Sequence, residues 1–120
     1  MLPKSAKLLW DIQDSAAFIL EATVGKSFND FMDTTMLRLA VERQFEIVGE
    51  ASRRLRDYDP GTAVRLLGLN EAIAVRNIVT HEYDEINYQT LWETVQTSLP
   101  KLRDSALKLL DEYGPPGGKK

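Results

Sequence analysis

The chain has 120 residues, a formal net charge of −3 and no cysteine. A chain of this length is expected to form one domain with its own hydrophobic core. The absence of cysteine excludes disulfides, thiol catalysis and cysteine-ligated zinc, and it fits a cytoplasmic location. The acidic balance argues against a surface that coats nucleic acid non-specifically. No run of residues approaches the roughly 20 apolar residues of a membrane span.

The first part of the chain predicts two helices. Apolar residues recur at spacings of three and four from about residue 4 to residue 23, and Gly25 follows as a C-cap. Residues 27–30, Ser-Phe-Asn-Asp, resemble a capping box. We therefore expect a short second helix that packs Phe28 and Phe31 against the core.

The middle of the chain predicts the longest helix, with Asp33 as its N-cap. Its apolar seam follows a nearly heptad spacing. The seam consists of Leu37, Val41, Gln44, Val48, Ala51 and Leu55. Gly49 lies inside this helix, where a glycine costs about 1 kcal/mol relative to alanine. Its presence predicts that another backbone passes close by.

The second half of the chain predicts a turn and two further long helices. Residues 57–61, Asp-Tyr-Asp-Pro-Gly, indicate the turn, and a short helix over residues 62–67 is expected to end at Gly68. Asn70 is the expected cap of the next helix. The last helix begins after Asn87, and Pro100 within it predicts a kink. Its apolar face consists of Leu91, Val95, Ser98, Leu102, Ala106 and Leu109.

These patterns predict an all-α, up-and-down bundle of four main helices and one or two short ones, with a kinked C-terminal helix. No segment sustains the two-residue alternation that is typical of a strand. We expect a single helical domain over residues 1–113. The remaining residues 114–120 are rich in glycine and proline and are expected to form a disordered tail.

Residues 76–83, Arg-Asn-Ile-Val-Thr-His-Glu-Tyr, carry the groups best suited to chemistry. On an ideal helix, the neighbouring apolar stripe faces the core and consists of Ala72, Val75 and Val79. Asn77 and His81, the only histidine, are four residues apart and stack on a side away from that stripe. A second polar stripe consists of Arg76, Thr80 and Tyr83. The segment thus presents a cation, an amide, an imidazole and a phenol.

Arg76 and His81 together suit the cleavage of RNA without a metal ion. Histidine titrates near pH 6.5 and can transfer protons at neutral pH. Arginine offers a permanently charged fork for a phosphate, and Asn77 can orient the ring or the phosphate. Deprotonation of a 2′-hydroxyl, followed by its attack on phosphorus, would leave a 2′,3′-cyclic phosphate. A two-fold dimer would supply the second histidine that acid and base catalysis require.

The spacing alone leaves a second interpretation open. Ideal geometry places Arg76 and His81 about 140° apart around the helix, so a long side chain or a loosened last turn must close the gap. A histidine near a helix C-terminus is often only a solvated residue whose charge interacts with the helix dipole. A metal site is not expected, because one histidine and scattered carboxylates form no ligand cluster.

The pattern Arg-Asn-x-x-x-His-x-Tyr of residues 76–83 resembles that of the HEPN-domain proteins of the HepT-like group. Residues 43–51, Arg-Gln-Phe-Glu-Ile-Val-Gly-Glu-Ala, are similar to that group's Arg-Asn-x-Glu-x-x-Gly-Glu-Ala, with Gln44 in place of asparagine. A third match is Leu-Trp at positions 91–92, followed by Leu-Pro-x-Leu at positions 99–102. The resemblance covers the chain from about Leu8 to Leu110.

This resemblance implies a homodimeric helical bundle with metal-independent endoribonuclease activity and no cofactor. It implies that Arg76 and His81 are the catalytic pair, with Asn77 in support, in a cleft between two copies of the motif. Such proteins are the toxins of toxin–antitoxin systems. The antitoxin, a minimal nucleotidyltransferase, neutralises the toxin by adenylylating the tyrosine of His-x-Tyr, here Tyr83.

Other interpretations remain open beside this one. The chain could be a non-catalytic dimeric module that binds a nucleotide or a nucleotidyltransferase partner, which the acidic charge favours. The arginines at positions 53, 54 and 56 could contact an RNA backbone. With Glu46 and Glu50 nearby, we instead expect a solvated face with surface ion pairs. Gly49 and Gln44 are expected to serve packing, and Tyr88 and Trp92 to lie in the core and its flank.

Overall fold

The architecture is a bundle of helices. The computed structural model describes residues 1–80 and 86–113, and these ranges contain seven helices and no strand. In chain order they are α1 (Ser5–Thr23), α2 (Phe28–Asp33), α3 (Thr35–Tyr58), α4 (Pro60–Ala63), α5 (Leu69–Thr80), α6 (Tyr88–Gln96) and α7 (Ser98–Tyr113). The predicted all-α bundle is confirmed. None of the described helices is long and apolar enough to cross a membrane.

The long helix α3 organises the core. It packs against both α1 and α5, and α1 also packs against α7. Burial of each large apolar side chain contributes about 1.5–3 kcal/mol to the stability of such a core. Its fully buried members include Leu9, Ile12, Ile19, Phe31, Phe45, Val48, Leu55, Leu91 and Leu102. Phe45 is an addition to the predicted seam of α3, whereas Gln44 within that seam is only partly buried.

The predictions for the first two helices are confirmed. α1 is followed by Gly25 in the left-handed region, with φ of 72°. The capping box of α2 is formed, because the Asp30 N–H donates to Ser27 Oγ at 3.0 Å and the Ser27 N–H donates to Asp30 Oδ2 at 2.8 Å. Phe31 is fully buried and packs on Trp92, with ring centroids 5.3 Å apart. Phe28 packs against the same core from a partly buried position.

Two predicted caps are wrong. The N-cap of α3 is Thr34 and not Asp33, because the Thr34 N–H donates to Asp30 O and closes α2, while its extended backbone opens α3. Asn70 does not cap α5, which already begins at Leu69. The side chain of Asn70 instead accepts a hydrogen bond from Arg56 at 3.4 Å.

The predicted turn at residues 57–61 is shorter than expected, because α3 continues to Tyr58 and α4 begins at Pro60. Asp59 alone separates the two helices, and its buried carboxylate joins this junction to the start of the chain. It accepts hydrogen bonds from Ser5 Oγ at 2.6 Å, Thr62 Oγ1 at 2.6 Å and the Leu2 N–H at 3.0 Å. The predicted short helix over residues 62–67 is displaced to α4, Pro60–Ala63.

The predicted kink in the last helix is a break into two helices. α6 ends at Gln96 and α7 begins at Ser98, so Pro100 lies in the first turn of α7. There its missing N–H is tolerated, whereas in a continuous helix its ring would clash with the carbonyl of Gln96. Gly68 packs against this break with φ of 81°, and a Cβ on it would lie 2.5 Å from Ser98 O. The predicted tail, residues 114–120, lies outside the described residues.

Candidate functional site

The site begins where α5 crosses α3 at Gly49. A Cβ added to Gly49 would lie 2.1 Å from Cβ of Arg76 and 2.9 Å from the carbonyl oxygen of Ala72. Such distances do not occur between real atoms, so only glycine permits this approach of the two helices. The expectation that another backbone passes close to Gly49 is confirmed. The backbone is that of the helix that carries Arg76.

The faces of α5 follow the predicted stripes. Ala72, Val75 and Val79 are buried, with 1%, 2% and 6% of their surfaces exposed. Asn77 and Thr80 are exposed. The Arg76 side chain lies between these two environments, with 29% of its surface exposed. The amphipathic pattern of α5 therefore sets Arg76 at the edge of the core, with its stem against α3.

The guanidinium of Arg76 lies between a carboxylate on α3 and an amide on its own helix. Its Nη2 atom is 3.5 Å from Oε1 of Glu50, and its Nη1 atom is 3.5 Å from Oδ1 of Asn77. Both contacts are longer than the usual 2.7–3.2 Å hydrogen bond, so the attraction is largely electrostatic. The Nε atom of Arg76 is buried and has no hydrogen-bond partner among the described residues.

Glu50 is the acidic centre of this cluster. Arg53 donates to it twice, from Nε at 3.0 Å and from Nη2 at 2.9 Å, and Arg54 donates from Nε at 3.0 Å. The hydrogen bonds from Arg53 lower the pKa of Glu50, and partial burial acts in the opposite direction. The Arg54 bond and the charges of Arg53 and Arg76 add to the lowering, which brings the pKa to about 2. The carboxylate is therefore ionised at neutral pH.

Two of the three arginines near the end of α3, Arg53 and Arg54, form the predicted surface ion pairs, whereas Arg56 donates to Asn70. Arg53 bonds to Asp57 at 2.9 Å in addition to Glu50, and Arg43 pairs with Glu46 at 3.1 Å. Tyr88 and Trp92 are also found in the core flank, where the Tyr88 hydroxyl donates to Glu42 Oε2 at 3.1 Å. The exposed ion pairs of Arg53 with Asp57 and of Arg43 with Glu46 contribute little stability.

The two motif segments that the sequence analysis singled out therefore meet in space. Residues 43–51 contribute Gly49 and Glu50, and residues 76–83 contribute Arg76 and Asn77. His81 and Tyr83 lie outside the described residues, so the expected pairing of Arg76 with His81 stays a prediction. Glu50 was missed as a partner of Arg76. Glu50 directly follows Gly49, the residue that predicted a close neighbour, and this position was the one indication in the sequence that Glu50 lies at the crossing.

The model of one protein family, described as ribonuclease HepT-like, matches residues 12–109 of the chain. The chain belongs to this family. Membership supports a ribonuclease function with RNA as the substrate. The matched range includes both motif segments and every helix from α2 to α6.

Individual relatives of this HepT-like chain carry ribonuclease names. It is 37% identical over 95 residues to "Putative RNase MJ1380" of Methanocaldococcus jannaschii, an alignment that covers 79% of this chain and 86% of the relative. It is 32% identical over 104 residues to "Probable ribonuclease HepT" of Thermococcus cleftensis, with 84% and 91% covered. A third relative, "Putative RNase TTE0752" of Caldanaerobacter subterraneus, is 29% identical, with 84% and 89% covered. No solved structure matches this chain significantly.

In the part of this HepT-like chain that the structure describes, no group of three or more histidine, cysteine, aspartate or glutamate side chains is arranged to hold a metal ion. Among the described residues, Arg76 instead pairs with one carboxylate, that of Glu50, which also binds the guanidinium groups of Arg53 and Arg54. This arrangement suits an anionic ligand such as a phosphate, because guanidinium groups bind phosphate oxygens with directed N–H bonds.

Proposed function

We propose that this protein is an endoribonuclease toxin that cleaves RNA without a metal ion. A base removes the proton of a ribose 2′-hydroxyl, and the 2′-oxygen attacks the adjacent phosphorus. The bond from phosphorus to the 5′-oxygen breaks, and that oxygen takes up a proton. One product then ends in a 2′,3′-cyclic phosphate and the other in a 5′-hydroxyl.

The observation that carries this proposal is the position of Arg76 within a HepT-like ribonuclease chain. Its guanidinium is partly exposed, and its stem is fixed against Gly49. A guanidinium has five N–H donors, and each Nη carries two. The contacts with Glu50 and Asn77 engage one side of each Nη, so N–H groups remain for the oxygens of a phosphate that gains charge in the transition state.

His81 is the proposed proton-transfer group, with Asn77 in support. A histidine side chain can act as a base or an acid at neutral pH. One histidine does not easily serve in both roles within one step. We therefore propose a homodimer in which the second copy supplies the second histidine, as two-fold symmetry allows.

Tyr83 is the proposed site of regulation by a minimal nucleotidyltransferase antitoxin. On an ideal helix, residues 76 and 83 differ by only about 20° in direction. Transfer of an adenylyl group to the hydroxyl of Tyr83 would place a bulky anion beside the arginine. That anion would occupy the proposed phosphate site and oppose its charge.

The test is cleavage of end-labelled RNA in the presence of EDTA by the purified protein. His81→Ala and Arg76→Ala serve as matched variants, and product ends are analysed chemically. We expect a 2′,3′-cyclic phosphate that disappears in both variants, while circular dichroism shows the same helical content in all three proteins. Full activity in both variants would reject the assigned pair.

The alternative is a dimeric module that binds a nucleotide or a nucleotidyltransferase and does not cleave RNA. Its signature would be the absence of any product, even at high protein concentration. The preparation must have an intact mass that excludes adenylylated Tyr83. If such a preparation forms no RNA product, a binding role replaces the catalytic one.

A further inference from the structure

The feature that the proposed function leaves unused is the carboxylate of Glu50. It lies within 3.5 Å of the guanidinium proposed to hold the RNA phosphate, on a different helix and 26 positions earlier in the chain. A negative charge beside a phosphate site weakens the attraction for the substrate. We therefore expect a contribution of Glu50 to catalysis that outweighs this weaker attraction.

Glu50 is itself held firmly. Arg53 binds it through two N–H groups at 2.9 and 3.0 Å, which is the fork geometry that fixes a carboxylate in direction as well as position. Arg54 adds a third bond at 3.0 Å. The carboxylate thus has a fixed orientation before it meets Arg76, and its two anchoring residues lie on the same helix at one turn's distance.

Arg76 needs such an external anchor. Its Cβ is fixed by the contact with Gly49, but its Nε has no hydrogen-bond partner among the described residues. The remaining torsions of a long arginine side chain are otherwise free to rotate. Glu50 beside one Nη and Asn77 beside the other, each at 3.5 Å, limit the rotation of the guanidinium.

We infer that Glu50 is a positioning residue for Arg76, and that it sets the charge which an RNA phosphate meets at this site. This inference rests on the proposed function. Glu50 does not touch the substrate. It holds the guanidinium in the orientation that the transition state requires, and it offsets part of the positive charge of the three arginines.

Two opposite effects on kinetics follow from this arrangement. Loss of the negative charge lets the guanidinium of Arg76 rotate, which lowers kcat, because a misplacement of about 1 Å can cost about 100-fold in rate. The same loss leaves the three arginines with more positive charge, which strengthens phosphate binding and lowers KM. A residue that only maintains the fold would reduce the active fraction and leave KM unchanged.

The experiment compares steady-state RNA cleavage by the full-length protein with that of Glu50→Gln, Glu50→Asp and Asp57→Asn. Glu50→Gln keeps the shape and removes the charge, whereas Glu50→Asp keeps the charge. Asp57→Asn is the matched control, because Asp57 also pairs with Arg53, at 2.9 Å, but lies two turns after Glu50 on α3. All four proteins must show the same cooperative thermal unfolding before the rates are compared.

For Glu50→Gln we expect kcat to fall by about 10-fold to 100-fold and KM to fall with it. Glu50→Asp should retain more activity than Glu50→Gln, and Asp57→Asn should keep the kcat of the unaltered protein. The inference is overturned if Glu50→Gln keeps kcat within about twofold of the unaltered protein, or if it is at least as active as Glu50→Asp.

A second measurement does not depend on RNA cleavage. The Nε–H signal of Arg76 in an ¹H–¹⁵N spectrum can be assigned by its absence in Arg76→Lys. We expect this signal to shift and broaden in Glu50→Gln and to remain in place in Asp57→Asn. An unchanged signal in Glu50→Gln would reject the inference. A missing RNase activity in the unaltered protein would instead reject the proposed function and leave this measurement decisive for Glu50.

Discussion

Glu50 in the middle of α3 and Asp59 at its end are two carboxylates with lowered pKa values in very different surroundings. Glu50 is partly exposed and is bound by charged guanidinium groups of three arginines. Asp59 is buried and is bound by the hydroxyls of Ser5 and Thr62 and by backbone N–H groups. Neutral donors at short range suit a permanent junction of the fold. Charged partners at the surface suit a site where a guanidinium keeps one carboxylate partner and still has N–H groups for a further anion.

The largest effect is expected from Gly49→Ala, which would separate α3 from α5 at the charged site. The new methyl group would overlap Cβ of Arg76, and overpacking of this kind costs about 1–3 kcal/mol. Because Arg76 must move, we also expect a loss of RNA cleavage of about 100-fold. Unfolding by urea and cleavage rates measure the two effects.

Gly61→Ala is the matched control for that substitution. Gly61 lies in α4, where the nearest atom to an added Cβ is Asp59 Oδ1 at 3.8 Å, an ordinary contact. We expect a stability change of at most about 1 kcal/mol and no change in cleavage. Equal damage from both alanine substitutions would contradict the special role of the crossing at Gly49.

Asp59→Asn is expected to destabilise the fold and leave the chemistry intact. The amide has a single acceptor oxygen, so it cannot accept both the bonds that reach Oδ2 from Ser5, Leu2 and the Thr62 hydroxyl and the bond that reaches Oδ1 from the Thr62 N–H at 3.2 Å. Bonds to a charged group are worth about 1.5–3 kcal/mol, so the free energy of unfolding should fall by about that much. Chemical denaturation measures it. A loss of kcat in the folded variant would show that the two carboxylates do not have separate roles.

The pH dependence of stability sharpens the same comparison. Burial by itself would raise the pKa of Asp59, but the hydrogen bonds from Ser5, Thr62 and the Leu2 backbone outweigh it and hold the pKa well below its ordinary value. The folded state therefore binds fewer protons than the unfolded state in acid, and the stabilisation is complete above about pH 4.

We expect the free energy of unfolding to fall as the pH drops below about 4, and to fall less steeply in Asp59→Asn. Glu50, with its pKa near 2, adds to the loss in the same direction. Its part is small because the side chain is partly exposed and screened by solvent. Urea titrations between about pH 6 and pH 2.5 provide the measurement. If the free energy of unfolding falls with pH equally steeply in the unaltered protein and in Asp59→Asn, the acid sensitivity does not come from Asp59.

The smallest effect is expected at Ser52, which lies on α3 between Glu50 and Asp59. Its side chain is fully buried, and its Oγ has no hydrogen-bond partner among the described residues. Because an unpaired buried hydroxyl is itself costly, Ser52→Ala should be neutral or stabilising by up to about 1 kcal/mol. Thermal unfolding of the two proteins is the measurement. A loss of more than that would reveal a partner for the hydroxyl.

Much of the fold could be predicted because its signals are local. The capping box at Ser27, the apolar stripe of α5 and the disruptive effect of Pro100 each depend on a few neighbouring residues. The errors concern boundaries at which two local signals compete. At Thr34, one residue both ends α2 and starts α3, so the stronger capping residue Asp33 misled the prediction.

The candidate site was predictable only in part. The stripes of α5 set Arg76 and Asn77 on its polar side, and Gly49 indicated a close neighbour. The contact between Glu50 and Arg76 joins two helices, and no periodicity along either helix specifies which side chains meet across the crossing. Such a pairing follows from tertiary packing, which the spacing of residues within one helix does not encode.

The crossing at Gly49 also has an evolutionary consequence. The added methyl group would collide with Cβ of residue 76 and with the carbonyl of Ala72, and every residue type except glycine has a Cβ at position 76. The requirement for glycine at position 49 therefore does not depend on the arginine. A descendant that had lost its chemistry could discard Arg76 and Glu50, yet it would have to keep Gly49 to keep its shape. Among relatives, glycine at this position would mark common architecture, and the charged pair would separate working enzymes from degenerate copies.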